Sequence, residues 1–245
     1  MSLLTFGLVG LAAFLVGTLA GLAGYGQGLI MPIVLVPLIG AQAVVPVLAV
    51  AGLLTNGSRI VAFRDAIDWP VALRLMITAT PACLIGATAF TRLDGQGASI
   101  LIGIFLLTLV PGRRVLKRMV LARSLIVALV GGAIYGFLLG LTPGVGVIII
   151  PILMSMGLSG KTVIATDATL SLVVGIVKVG TFQALGAMDP AMWGLALVIG
   201  LCSLPGAFVA RWLMDRLNAR VHEAILDLGV VAGGISLILR GLGYI

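Results

Sequence analysis

Ten apolar runs, each closed by a turn or a charge signal, fill this chain: residues 3–23, 28–39, 43–62, 70–90 and 97–112, then 124–142, 145–157, 162–182, 191–210 and 222–243. Most are long enough, at ~1.5 Å of rise per residue, for a helix to cross a ~30 Å hydrocarbon core. The runs at 28–39 and 145–157 fall short and read as half-helices, re-entrant pieces or deeply buried segments. A soluble fold of 245 residues must cover itself with polar side chains, yet 61% of the residues are hydrophobic, 9% are charged and the mean hydropathy is +1.27. That balance excludes a soluble globule and predicts an all-α integral membrane protein.

The runs fall into two halves. Gly21-Leu-Ala-Gly-Tyr-Gly-Gln-Gly-Leu-Ile-Met-Pro32 is answered by Gly140-Leu-Thr-Pro-Gly-Val-Gly-Val-Ile-Ile-Ile-Pro151, an offset of 119 residues that also sets Ala49 on Ala168 and Arg59 on Lys178. Further on the offset becomes 120, with Pro70 on Pro190, Leu84 on Leu204 and Gly86 on Gly206. Identity between the halves is modest, so the repeat rests on the shared order of breaks, prolines and segment lengths. The expected organisation is a first repeat over 1–112, a basic linker over 113–123 and a second repeat over 124–245, together forming one membrane domain.

Charge orients the halves. The net charge of +7 does not mark a nucleic-acid partner, because five of the fifteen basic residues (Arg113, Arg114, Lys117, Arg118, Arg123) share the central loop. With that loop cytoplasmic, the loops 63–74 and 211–220 and Lys161 also fall inside, while 91–97 and 183–190 fall outside with one arginine between them. Equivalent loops therefore face opposite sides, as five segments per half require, and both termini are expected outside. The prediction is two inverted five-segment repeats with short or broken helices at the glycine-rich stretches, an arrangement many secondary transporters share. The first run lacks a charged n-region and a small-residue cleavage site, so it reads as a retained helix.

The candidate site follows from the breaks and from two cations. A basic residue within a membrane helix costs roughly 2.5–3.5 kcal/mol on insertion scales, so Arg59 and Lys178 are expected to face a partner or a wet cavity. The alternative for each is a helix-end position from which the side chain snorkels to the headgroups. In each half the helix after the break, opening near Leu29 and Val147, would aim unsatisfied N–H groups at an anion. Tyr25, Gln27, Asn56, Ser58 and Thr142 are the polar side chains placed to help. The glycines can instead serve close helix packing. Asp167 reads either as a coupling group or partner of Lys178, or as a first-turn acid capping its helix. Asp65, Asp68, Asp94 and Asp189 read as caps or interfacial charges. Cys83 and Cys202 read as small apolar fillers, and His222 as interfacial.

The repeated glycine-rich break running into a proline-containing segment, the stretch Ala165-Thr166-Asp167-Ala168-Thr169 and the basic linker resemble the sulfite exporter TauE/SafE family, over essentially the whole chain. The resemblance implies secondary transport of a small sulfur-containing anion: sulfite, thiosulfate, or an organosulfonate such as sulfoacetate. The chain departs from the family pattern at Gly24-Tyr-Gly-Gln-Gly28 and Thr142-Pro-Gly-Val-Gly146, which points to a specialised pocket. No cysteine-centred motif of the thiosulfate-uptake kind is present, which disfavours that substrate. The expected partners are the small anion and the lipid bilayer of a cell inner membrane, without nucleic acid, with a homodimer left open. No metal or organic cofactor is expected. An anion channel lined by the same cations, or a carrier of another small carboxylate or oxyanion, is the competing reading. An enzyme is not expected, since neither paired carboxylates, a metal-ligand set nor a nucleophile near a histidine is found.

Overall fold

The computed structural model describes residues 3–23, 27–116, 124–213, 231 and 234–244. Tyr25, the linker from 117 onward, the loop beyond residue 213 and His222 lie outside the described residues, as does half of the tenth predicted segment, of which 234–241 is helical. All regular structure among the described residues is helical: α1 (Leu3–Ala23), α2 (Gln27–Ile39), α3 (Ala41–Phe63), α4 (Trp69–Thr91), α5 (Gly95–Leu116), α6 (Leu125–Leu141), α7 (Gly146–Ser155), α8 (Lys161–Ala184) and α9 (Pro190–Leu213), with a 3-10 turn at Arg64–Ala66. These bounds lie within a few residues of the apolar runs. By length and composition, Ala41–Val61, Trp69–Thr91 and Lys161–Ala184 are able to cross a membrane. The two short runs are short helices, 13 residues in α2 and 10 in α7, or roughly 20 Å and 15 Å.

Local chemistry sets the ends. Asp68, Asp94 and Asp189 each accept a hydrogen bond from the helix they precede, at Val71 N (3.1 Å), Gly97 N (2.7 Å) and Met192 N (2.8 Å). Ser124 does the same for α6 through Val127 N at 3.2 Å. Each cap satisfies an N–H that the first turn leaves without a partner. Asp65 instead faces Arg64 at 3.9 Å on the exposed turn.

Packing joins helices across the halves. α4 lies along α6, and α1 lies along α9; α3 packs on α8 and on α9, and α4 packs on α8. Small residues make the first two seams. On α6, Gly132, Gly136 and Gly140 recur every fourth residue, and a Cβ on any of them would strike the α4 backbone at Leu75, Ala79 or Cys83. On the other seam a Cβ on Gly17 would meet Ser203, and one on Gly206 would meet the backbone from Phe14 to Thr18. Without a hydrophobic drive between helices in lipid, such close backbone approach supplies the attraction. The outward faces are apolar, with Leu11 and Leu15 on α1 and Val130 and Ile134 on α6 more than half exposed. A side chain of that kind belongs against acyl chains.

α3 and α8 run antiparallel through the centre. The turn after α3 meets the start of α8, where Asp68 N donates to Thr166 Oγ1 at 3.0 Å. At the other end, the start of α3 (Ala41–Ala43) and the end of α8 with its following loop (Leu185–Asp189) line one cavity of about 480 Å³.

Candidate functional site

The two glycine breaks touch. A Cβ on Gly28 would fall on the backbone of Pro143 and Gly144, and one on Gly144 would meet Gly28 and Leu29; Gly144 also has φ +84°, a backbone region that disfavours any side chain. The first residues of α2, Gln27 and Gly28, and the break Pro143–Gly146 that opens α7 therefore border one cavity of about 130 Å³ between α3 and α8. Two short helices thus turn their N-terminal, positive dipole ends toward the same space; at α7 the N–H groups of Val147, Ile148 and Ile149 already donate to the carbonyls of Gly144 and Val145 in a tight first turn.

The walls are helical stripes. α3 contributes Leu48, Gly52, Asn56 and Arg59, and α8 contributes Asp167, Ser171, Gly175 and Lys178. Spacings of three and four residues put each set on one helix face. The offset of 119 carries every member of the first stripe onto a member of the second. The chemistry differs at three of the four pairs: leucine against aspartate, glycine against serine, and asparagine against glycine. The fourth pairs the two cations.

Each cation is engaged. Arg59 Nη1 lies 3.9 Å from Asp167 Oδ2, with the arginine side chain 17% exposed against 4% for the aspartate, so the pair is open at its arginine end. Asp167 Oδ1 accepts from Ser171 Oγ at 3.2 Å, and Ser171 Oγ shares a 2.7 Å hydrogen bond with Tyr135 Oη. Lys178 Nζ donates to the Leu139 carbonyl oxygen and, at 3.2 Å, to that of Thr142. These carbonyls close α6, where the helix has no further N–H to offer them and carries its negative dipole end. The ammonium also stands 5.7 Å from the centre of the Phe182 ring, one turn further along α8. Phe182 is fully buried and packs edge-on against Phe90 at 6.0 Å between ring centres. Phe90 lines the 480 Å³ cavity, so the aromatic pair lies between that cavity and Lys178.

The residues singled out from sequence are thereby distributed. Arg59, Lys178, Gln27, Asn56 and Asp167 line the cavity. Gln27 reaches across to α9, its Nε2 donating to Ser203 Oγ at 3.0 Å. Ser58 and Thr142 are not among the lining residues: the Ser58 hydroxyl donates to Thr55 O at 2.8 Å and that of Thr142 to Leu138 O at 3.1 Å, leaving only the Thr142 carbonyl to meet Lys178. Asp167 stands six residues into α8, past the first turn, and partners Arg59 instead of Lys178. Sequence reasoning missed Tyr135 and Ser171. Stepping back from Lys178 by three and then four residues reaches Ser171, whereas Tyr135 on an otherwise apolar helix carries no comparable signal.

A volume near 130 Å³ is well below the ~300–1,000 Å³ of pockets for drug-sized ligands, so the cavity suits a small ion. Neither a curated protein nor a solved structure matches the chain. The family model for the sulfite exporter TauE/SafE matches residues 9–237, a span that takes in both glycine breaks and both cation-bearing helices. The chain therefore belongs to the sulfite exporter TauE/SafE family, whose members are membrane transporters and not enzymes.

Proposed function

We propose that the chain is a secondary transporter that moves a small sulfur-containing anion, an organosulfonate such as sulfoacetate or else sulfite, by alternating exposure of the cavity between α3 and α8. One observation carries this reading: Arg59 and Lys178, at matching positions of antiparallel helices, line a single small cavity where the N-terminal ends of α2 and α7 meet. Two fixed cations, helix N-termini and the amides of Gln27 and Asn56 would recognise a compact oxyanion.

The two-repeat organisation supports alternation. Exchanging the halves turns the α4·α6 seam into α9·α1 and the α4·α8 contact into α9·α3, and leaves α3·α8 on itself. Each cation is followed one turn later by a phenylalanine, Phe63 after Arg59 and Phe182 after Lys178. Phe182 is buried against Phe90, and Phe63 is half-buried. On this reading the Lys178 side is closed and the Arg59 side accessible, and the opposite state reverses the two. The central basic loop then lies in the cytoplasm, the closed side faces outward and the membrane is the cell inner membrane.

Ligand-induced thermal stabilisation of the solubilised protein tests the site. Among sulfite, sulfate, thiosulfate, sulfoacetate, taurine and simple carboxylates, a sulfur anion is expected to raise the midpoint most, and Arg59→Ala and Lys178→Ala are expected to abolish the rise. No stabilisation by any sulfur anion, or unchanged responses in both variants, would sink the assignment. Saturable counterflow in liposomes separates a carrier from a channel.

A further inference from the structure

The cavity that offers two cations to an anion already contains an anion of its own. Among its lining residues Arg59 and Lys178 carry formal positive charge and Asp167 carries formal negative charge, 3.9 Å from the guanidinium. An incoming anion and an ionised Asp167 must share Arg59 in a small space with little water to screen them. Their competition ends when the carboxylate takes up a proton.

Resting on the reading of this cavity as an anion site, we propose that Asp167 carries one proton across the membrane with each anion, making the protein a proton–anion symporter. The proton comes from water on the side to which the cavity is open, and rides as the Asp167 carboxyl O–H while Arg59 holds the substrate. It returns to water on the other side as the anion leaves and the Arg59–Asp167 pair re-forms. Because protonation frees Arg59 for the anion, and a bound anion takes Arg59 from the carboxylate, each favours the other; with the cavity changing sides only when doubly loaded or empty, the two cargoes travel in the same direction.

The surroundings of Asp167 suit both of its states. In the ionised state Ser171 donates to Oδ1 at 3.2 Å, and Ser171 and Tyr135 share a hydrogen bond of 2.7 Å in which either oxygen can be the donor. Once protonated, Asp167 becomes a donor to Ser171, and the serine hydroxyl turns to donate to Tyr135. The phenol hydrogen is then released toward the cavity that Tyr135 lines, where the anion sits. The hydroxyl pair thus converts a proton on Asp167 into a donor for the substrate.

Every described element packed around Asp167 enters this account. α3 presents Arg59 and α6 presents Tyr135. α4 presents Cys83, whose Sγ lies 3.9 Å from the Val174 carbonyl. Gly146–Ser155 of α7 has no titratable side chain. The turn after α3 carries Arg64 and Asp65, exposed and facing each other, and Asp68, whose carboxylate caps α4. On α8 itself, the ammonium of Lys178 is held by the α6 carbonyls. Of these groups Arg59 stands at ion-pair range. The half-repeat places Leu48 where Asp167 stands, so the first half brings no second carboxylate to the equivalent position, and one proton per anion is the expected ratio.

The test uses the full chain in sealed liposomes with sulfoacetate and sulfate as probes, both ionised near neutral pH so that neither brings a proton of its own. Anion entry is read by isotope and internal acidification by a trapped pH dye. Wild type is expected to move about one proton per anion, and an outside-acid gradient to accumulate the anion. Asp167→Asn is expected to lower the ratio at least about tenfold, at whatever rate of anion exchange remains, and Asp167→Glu to keep it near one. Anion entry without acidification in wild type, or a ratio unchanged in Asp167→Asn, overturns the coupling alone. If sulfoacetate, sulfate and sulfite all fail to enter wild-type liposomes, the transport reading and the coupling both fall.

Discussion

Lys178 lies within an apolar helix, yet its ammonium is matched to the carbonyls of Leu139 and Thr142. Those oxygens end α6, so the lysine both supplies charge to the cavity and closes a helix. Lys178→Met is therefore expected to lower stability by about 1–3 kcal/mol, through one buried and one part-buried acceptor left without a donor, and to remove the stabilisation by anions. Lys178→Arg keeps the charge and is expected to keep part of both; thermal midpoints with and without sulfoacetate separate the two effects. Arg59 and Asp167 form a second coupled pair. Arg59→Gln leaves a buried carboxylate unpaired, at a cost of about 3 kcal/mol or more, and adding Asp167→Asn is expected to restore most of that loss. A double-mutant cycle in thermal midpoint checks it: additive effects would mean that the 3.9 Å separation carries no interaction.

At the scale of the elements, the stability of the bundle lies in its glycine seams. A Cβ on Gly136 would overlap the Ala79 backbone, whereas a Cβ on Gly180 of α8 meets nothing within 4 Å. Gly136→Ala is expected to destabilise by about 1–3 kcal/mol through overpacking, and Gly180→Ala to be neutral or stabilising by up to ~1 kcal/mol through helix propensity. Midpoints of the solubilised variants measure both. The elements themselves were legible in the sequence, because an apolar run and the turn that ends it are local properties of the chain. The correspondence of Arg59 with Lys178 is likewise a property of the sequence alone, since a fixed offset needs no knowledge of packing. Helix phase was legible only in part. Ser58 is adjacent to Arg59 in sequence but about 100° away around the helix, and its hydroxyl turns back to Thr55 O. Leu139 was invisible for another reason: what it brings to Lys178 is a backbone oxygen, which no side-chain pattern encodes.

For the molecule as a whole, the deepest helix contacts join one half to the other. α4 finds its small-residue partner in α6, and α1 finds its own in α9. A chain cut within 117–123 and expressed as two co-produced fragments is expected to reassemble and to bind anions. Either fragment alone is expected to be degraded or to aggregate. Co-purification of a tagged N-terminal fragment with an untagged C-terminal one decides this, and recovery of a stable, monodisperse single fragment would contradict it. The same contacts also set a timetable for synthesis. α4 can close on α6 soon after both enter the membrane, but the face of α1 around Gly17 has no seat until Ser203 and Gly206 have been made, almost the whole chain later. Of the helices α1 to α9, α1 thus waits longest for its close-packed partner, and a nascent chain stalled before α9 would display that uncovered face to whatever surveys membrane proteins during their biogenesis.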